Sequence, residues 1–311
     1  MIRVATYTTG RKVQETTLEN LNTLRAIAWV DVVDPSVEEL QMIREKLDIP
    51  FSELKHTMDQ KESSRVRSEQ NYTLIIFNGV KGEKTKAVLT PIGFIMTKRV
   101  LVTIRKESLG VIDQIDVNAD VFTNIMRQGL DILLYTILYR IVKDAAMLLE
   151  SVEEDIDEIE TEALKVNNKK VTEKLFDVKK MLIYMRKSLV GNRMVVNYLR
   201  KEEQLIRNKG LFHDVEVELI QLIDQLEVYD EKLGTVIDIC LTASANRAND
   251  VMKTFGIFAA MMLVPMLITG LYGMNVILPL QGHQNAFWII MLIIIISVTI
   301  MLLMFKWKKW T

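Results

Sequence analysis

Hydrophobic positions follow three patterns along this chain. Up to about residue 120 they come in short runs between turn signals. "YTLIIFNGV" (Tyr72 to Val80) and "RVLVTIR" (Arg99 to Arg105) predict strands, and "KAVLTPIGFIMT" (Lys86 to Thr97) predicts one or two more. Lys81-Gly82-Glu83 predicts a hairpin turn between them. "DPSVEELQMIREKLDIP" predicts a helix with Asp34 as N-cap, Pro35 in the first helical position and Pro50 as its stop. These elements make an α/β domain.

From about Val121 the pattern turns helical, and no proline occurs between Pro91 and Pro265. Val152, Ile156, Ile159 and Ala163 repeat at steps of 4, 3 and 4, one narrow apolar face. Eight acids between Glu150 and Glu162 cover the rest and read as a solvated helix face. The next helix is basic, with Lys169, Lys170, Lys174, Lys179, Lys180, Arg186 and Lys187. Asn167-Asn168 predicts the turn between them, which makes an antiparallel pair of opposite charge.

The third pattern is two uncharged runs of 20 residues, Thr254 to Gly273 and Ala286 to Phe305. At about 1.5 Å per residue each covers a hydrocarbon core of roughly 30 Å. The loop between them, "MNVILPLQGHQN", carries no Lys or Arg. Arg247 and Lys253 precede the first run, and Lys306, Lys308 and Lys309 follow the second. That asymmetry predicts a membrane hairpin with both ends cytosolic. Trp288, Trp307 and Trp310 fit the two interfaces.

From about Leu211 to Asn275 the only helix breaker is Pro265, so one helix of about 98 Å is expected. On it, Asp238, Thr242, Ala245, Asn249, Met252, Gly256, Ala259, Leu263, Met266, Gly270 and Gly273 follow steps of 4 and 3 without a slip. This is the period of a supercoiled seam. A coiled-coil core would hold Leu and Ile, whereas this seam is polar, small or Met. Close helix packing accounts for Gly256, Ala259, Gly270 and Gly273. Asp238, Asn249 and Met252 fit a ring of helices around a narrow axial path better. One hairpin is too small to enclose such a path, so several copies are required.

Composition narrows the function. Lys and Arg number 39 against 40 Asp and Glu, which gives no pull toward nucleic acid. The single Cys240 excludes an internal disulfide and suits a reducing compartment, and "MIRVATYTTG" has no apolar core of a cleaved signal peptide. There is no Gly-rich phosphate loop, no HExxH and no Cys/His cluster, and His56, His213 and His283 are scattered. Neither an enzyme nor an ATP-driven pump is expected.

"YGMN" (Tyr272 to Asn275) at the end of the first of two terminal spans, with the basic tail "KWKKW", resembles the CorA family of magnesium and cobalt transport proteins. There the Gly-Met-Asn tripeptide at this place is the signature. The resemblance covers the chain in layout and is sharpest from Asp238 to Asn275, and "MDQKESSRVRSEQNYTLIIF" (Met58 to Phe77) is also similar. It implies an α+β membrane protein that assembles as a homopentameric funnel in the lipid bilayer of the cell membrane. The expected parts are a cytosolic α/β domain (1–120), a helical hairpin region (121–210) and a stalk helix (211–253). A pore-lining transmembrane helix (254–275), an external loop (276–285), a second transmembrane helix (286–305) and a basic cytosolic tail (306–311) follow.

The implied function is passive uptake of a hydrated divalent cation, Mg²⁺ with Co²⁺ and Ni²⁺ as further substrates. Asn275, Gly273, Met274 and Tyr272 would form the mouth, with Tyr272 packing behind it. Met252 and Phe255 would form a hydrophobic constriction, Asn249 a polar ring below it and Asp238 an acidic ring at the cytosolic exit. Gly256, Ala259, Leu263 and Met266 would line the path between. Asn275 alternatively suits a helix C-cap. Many members carry a threonine where this chain has Met266, and acids in the external loop where this chain has only His283. Of the family's acidic pair for regulatory Mg²⁺, one partner matches Asp214. The other falls at Lys55-His56, which leaves Asp59 or Glu62 as its substitute. The alternatives are a Zn²⁺-transporting member of the same family and a membrane-anchored helical interaction protein that transports nothing.

Overall fold

The computed structural model describes all residues except 22–25, 60–61, 83–87, 166–168, 204, 281 and 309–311, and omits the side chains of residues 164, 165, 169 and 170. Glu83 of the expected hairpin turn, Asn167-Asn168, and the tail residues Lys309 and Trp310 lie outside the described residues. The chain forms two compact units, Met1–Ile237 and Asp238–Thr311.

In the first unit, β1 (Ile2–Tyr7), β2 (Gln14–Thr16), β3 (Ile27–Val33), β4 (Arg65–Ser68), β5 (Thr73–Lys81), β6 (Val88–Met96) and β7 (Val100–Arg105) form one sheet. Its order is β2-β1-β3-β7-β6-β5-β4. Of "KAVLTPIGFIMT", Lys86 and Ala87 lie outside the described residues, and Val88–Met96 is a single strand, paired antiparallel with β5 and β7. β3 and β7 pair in parallel. Their residues are apolar almost throughout because both faces are covered, as parallel strands require.

Helix α1 (Val37–Leu47) starts two residues later than the sequence suggested. Its N-cap is Ser36, not Asp34: the Ser36 hydroxyl accepts from the Glu39 N–H, and Glu39 accepts from the Ser36 N–H. This capping box holds two otherwise unpaired donors, which Asp34-Pro35 cannot offer. Asp34 has a positive φ of 44°. The helix ends at Leu47 with Asp48 in the left-handed region, and α2 (Phe51–His56) follows Pro50. Thr57, at the end of α2, lies against β6 so closely that a Cβ on Gly93 would sit 2.2 Å from its methyl carbon. Only glycine fits there.

Asp31 on β3 is 4% exposed and Arg105 on β7 is fully buried. Arg105 pairs with Asp31 and with Asp113, and Thr103 donates to Asp31 at 2.5 Å. Arg3 adds a pair to Asp31 at 3.3 Å and lies over the Trp29 ring. Buried charges are tolerated when they are paired and hydrogen-bonded in this way.

After α3 (Gly110–Asp113) and α4 (Asp120–Gln128), the helices α5 (Leu130–Lys165) and α6 (Lys169–Lys201) run as an acidic and a basic helix. Val152, Ile156, Ile159 and Ala163 are all buried. Lys174 on α6 pairs with Glu158 and Glu162 on α5, each at 3.3 Å. α7 (Lys209–Tyr272) is one helix of 64 residues that passes through Pro265, and α8 is Ala286–Trp307.

Candidate functional site

The part of α7 that lies in the first unit has two stripes. Phe212, Val215, Leu219, Leu222, Leu226, Tyr229, Leu233 and Val236 are buried at steps of 3 and 4. Polar pairs run beside them. Lys143 and Tyr229 bridge α5 and α7, through Glu218 at 2.6 Å and Glu153 at 2.6 Å, and Lys179 on α6 reaches Asp230 at 2.6 Å. Burial, and then the Glu153 hydrogen bond, push the Tyr229 phenol well above its ordinary range. Two residues out of phase with this stripe, about 200° around the helix, Asp214, Val217, Gln221, Asp224, Val228, Glu231 and Thr235 are exposed.

In the second unit, the eleven seam positions from Asp238 to Gly273 are all exposed. Met252, Leu263 and Met266 are exposed to 71, 66 and 72%. Phe255, one place off the seam, is exposed to 68%. The other side of this helix is shielded: Ile257 is buried, and Ala260, Met261, Val264, Pro265 and Ile268 are half-buried. On α8, Phe305 is buried and Ile290, Ile294 and Val298 are half-buried. From Ile257 to Ile268 the seam lies on the side this chain leaves uncovered, and from Leu241 to Gly256 the helix is exposed on nearly all sides. A Cβ built on Gly256 or Gly270 meets nothing within 4 Å, so the chain's own packing does not require glycine at either position.

The helix ends at Tyr272, three residues before the expected Asn275. The Gly273 N–H donates to the Thr269 carbonyl at 2.9 Å and the Met274 N–H to the Leu271 carbonyl at 3.2 Å. Gly273 closes the helix, and Asn275, two residues on, is not its C-cap. Apart from proline, glycine is the residue most costly to hold in a helix. The Tyr272 hydroxyl donates to the Pro279 carbonyl at 3.3 Å, which ties the helix end to the following loop. Met274 and Asn275 are exposed beside it.

Asp214 on α7 and Asp59 in the irregular chain after α2 are both exposed. Among the described residues no group of three or more His, Cys, Asp or Glu side chains is placed to hold a metal. His56 Nδ1 lies 3.5 Å from Glu62 Oε2, and Glu62 also pairs with Arg65 at 3.0 Å. Two residues after Asp214, Glu216 is buried. Burial alone would raise its pKa, but hydrogen bonds from Asn197 and Arg200 outweigh it and hold the carboxyl below its ordinary range. The residues missed in the sequence are the exposed stripe from Asp214 to Thr235. It repeats the same steps of 3 and 4, and extending the count backward from Asp238 would have found it.

The model of the CorA-like Mg²⁺ transporter protein family matches residues 25–308. The cobalt/magnesium transport protein CorA of Methanocaldococcus jannaschii is 30% identical over 290 residues, 91% of this chain and 91% of its own. The protein of that name from Thermotoga maritima is 25% identical over 91% of this chain and 83% of its own. The complete structure of the CorA magnesium transporter from M. jannaschii superposes with a TM-score of 0.87 at 27% identity, covering 100% of this chain and 99% of the other.

Proposed function

The chain belongs to the family of CorA-like Mg²⁺ transporter proteins and is a divalent-cation transporter, not an enzyme; from that premise we propose that it conducts hydrated Mg²⁺ through a path lined by five copies of α7. Co²⁺ and Ni²⁺ are further substrates. The observation that carries this reading is the unbroken 3.5-residue seam of polar, small and Met residues on α7, exposed at every position, with the opposite face covered by the chain from Ile257 to Ile268. An uncovered face of Asp, Asn, Met and Gly at a 3.5-residue period suits a bundle of identical helices around water. Members of the family are membrane proteins, and the two C-terminal helices have the length and composition to cross a bilayer. Two crossings keep both termini on one side of the cell membrane, and the flanking Arg247, Lys253, Lys306 and Lys308 favour the cytosolic side.

Mg²⁺ gives up its water reluctantly. A ring of Asn275 carboxamides can accept hydrogen bonds from that water and adds no charge to trap the ion. Gly273 lets the helices converge, Met274 completes the turn, and Tyr272 braces it from behind. Met252 and Phe255 close the path by dewetting. Asn249 is a polar ring below them, and Asp238 is an acidic ring at the cytosolic end. Gly256, Ala259, Leu263 and Met266 line the stretch between. Asp214 of one copy and Asp59 of the next are the acids available to hold a regulatory Mg²⁺. Entry of two charges gains about 4.6 kcal/mol per 100 mV of inside-negative potential, so no fuel is needed. Mg²⁺ uptake into vesicles with and without the Asn275→Ala change tests the reading, and equal uptake refutes the mouth.

A further inference from the structure

Strand β5 and helix α6 leave between them a groove of about 850 Å³. Sites for small molecules span roughly 300–1,000 Å³. The floor is apolar: Val80, Leu148, Met181 and Met185 line it and are buried. Most polar groups beside this floor are already used. The Asn192 carboxamide oxygen accepts from the Asn78 N–H at 2.9 Å and from the Ser64 hydroxyl at 2.7 Å, and its amide donates to the Asn78 carbonyl at 2.8 Å.

Ser188 is different. It lines the groove and is 4% exposed, yet its hydroxyl makes no hydrogen bond among the described residues. Serines and threonines inside helices normally bond a carbonyl one turn back, as Ser297 does at 2.7 Å. The Ser188 hydroxyl is left available to something in the groove. At the rim stand Lys180 and Lys187. Lys174, Lys179 and Arg186 on the same helix each have a carboxylate partner. Lys180 and Lys187 have none among the described residues, and the Lys180 ammonium lies 5.9 Å from the Tyr184 ring. Of the two acids on the lining, Glu62 is held by Arg65 and His56, and Asp177 has no ion partner among the described residues.

We propose that this groove binds a monoanionic amphiphile with an aliphatic body. The chain lies on Val80, Leu148, Met181 and Met185, Ser188 donates to an acceptor on the ligand, and Lys180 and Lys187 meet the anionic head. The probe is octanoate, with octylamine as the cationic control. Binding is followed by saturation-transfer NMR on the full chain in nanodiscs of zwitterionic lipid, with empty discs subtracted. Octanoate should bind saturably and octylamine should not. Lys180→Gln with Lys187→Gln, both exposed, should weaken octanoate roughly tenfold, and Ser188→Ala should weaken it by a smaller factor. Equal binding of the two probes, no saturable binding above empty discs, or binding unchanged in the double lysine variant overturns the site. Mg²⁺ flux of the same variant, which these lysines do not enter, reports on the transport reading separately.

Discussion

The hydroxyl of Tyr272, the last residue of α7, donates a hydrogen bond to the carbonyl oxygen of Pro279 across the turn that holds Gly273, Met274 and Asn275. At 3.3 Å the bond is long, and it spans seven residues of chain. The turn is therefore a closed loop, not a frayed helix end. Tyr272→Phe keeps the ring and removes the bond. The expected result is a folded protein with faster amide exchange from Val276 to Leu280 and Mg²⁺ flux reduced by a few-fold, because a single neutral hydrogen bond contributes about 1 kcal/mol. Unchanged exchange would show that the bond does not order the loop.

Asn275 tests the mouth itself. Asn275→Ala deletes the acceptor and should lower Mg²⁺ flux by roughly tenfold or more, since each 1.4 kcal/mol of lost stabilisation is a factor of ten. Asn275→Asp adds charge where the ion must also leave. It should bind divalent ions more tightly and reach a lower maximal flux. Concentration dependence of vesicle uptake separates the two effects.

Met252 tests the constriction. A thioether ring excludes hydrated ions by dewetting, and a hydroxyl wets it. Met252→Ser should raise the resting leak of Mg²⁺. Leak in inside-out vesicles is the readout. A leak equal to that of the unaltered protein would remove Met252 from the gate.

Much of this was legible in the chain. The acidic and basic helices, the two uncharged runs and the 3.5-residue seam are periodic over many residues, and periodicity survives local error. What was lost depends on single contacts. Asp34 and Ser36 are both good N-caps in isolation, and only the Glu39 side chain decides between them. Asn275 is a good helix terminator in isolation, but Gly273, two residues earlier, ends the helix first. The Asp31–Arg105 pair joins residues 74 apart, and nothing local in "VDVV" or "VTIR" announces it. The groove at Ser188 needs the sheet and α6 in place before it exists.

Glu216 gives the chain a measurable acid sensitivity. Its carboxylate is buried yet held ionised by Asn197 and Arg200, with its pKa below the unfolded value. A depressed carboxyl contributes stability at pH above the unfolded pKa and loses it as pH falls through the folded one. Glu216→Gln should cost about 1–2 kcal/mol at pH 7, the scale of a charged hydrogen bond. Thermal unfolding curves of the two proteins should converge as the pH is lowered below about 4.

Gly256 separates packing within one chain from packing between copies. A Cβ there meets nothing within 4 Å, so the chain's own packing leaves room for a side chain to start at this position, which Gly256→Leu fills. In the interior of α7, leucine is favoured over glycine by up to about 1 kcal/mol. If the glycine served only its own helix, the variant would be neutral or more stable, with assembly and flux unchanged. If it lets neighbouring copies of α7 approach, the added side chain has no room and the bundle opens. The expected outcome is a chain with undiminished helix content, a smaller particle by light scattering in detergent, and lost Mg²⁺ uptake. An intact oligomer with normal uptake would instead show that the exposed seam is not where the copies meet.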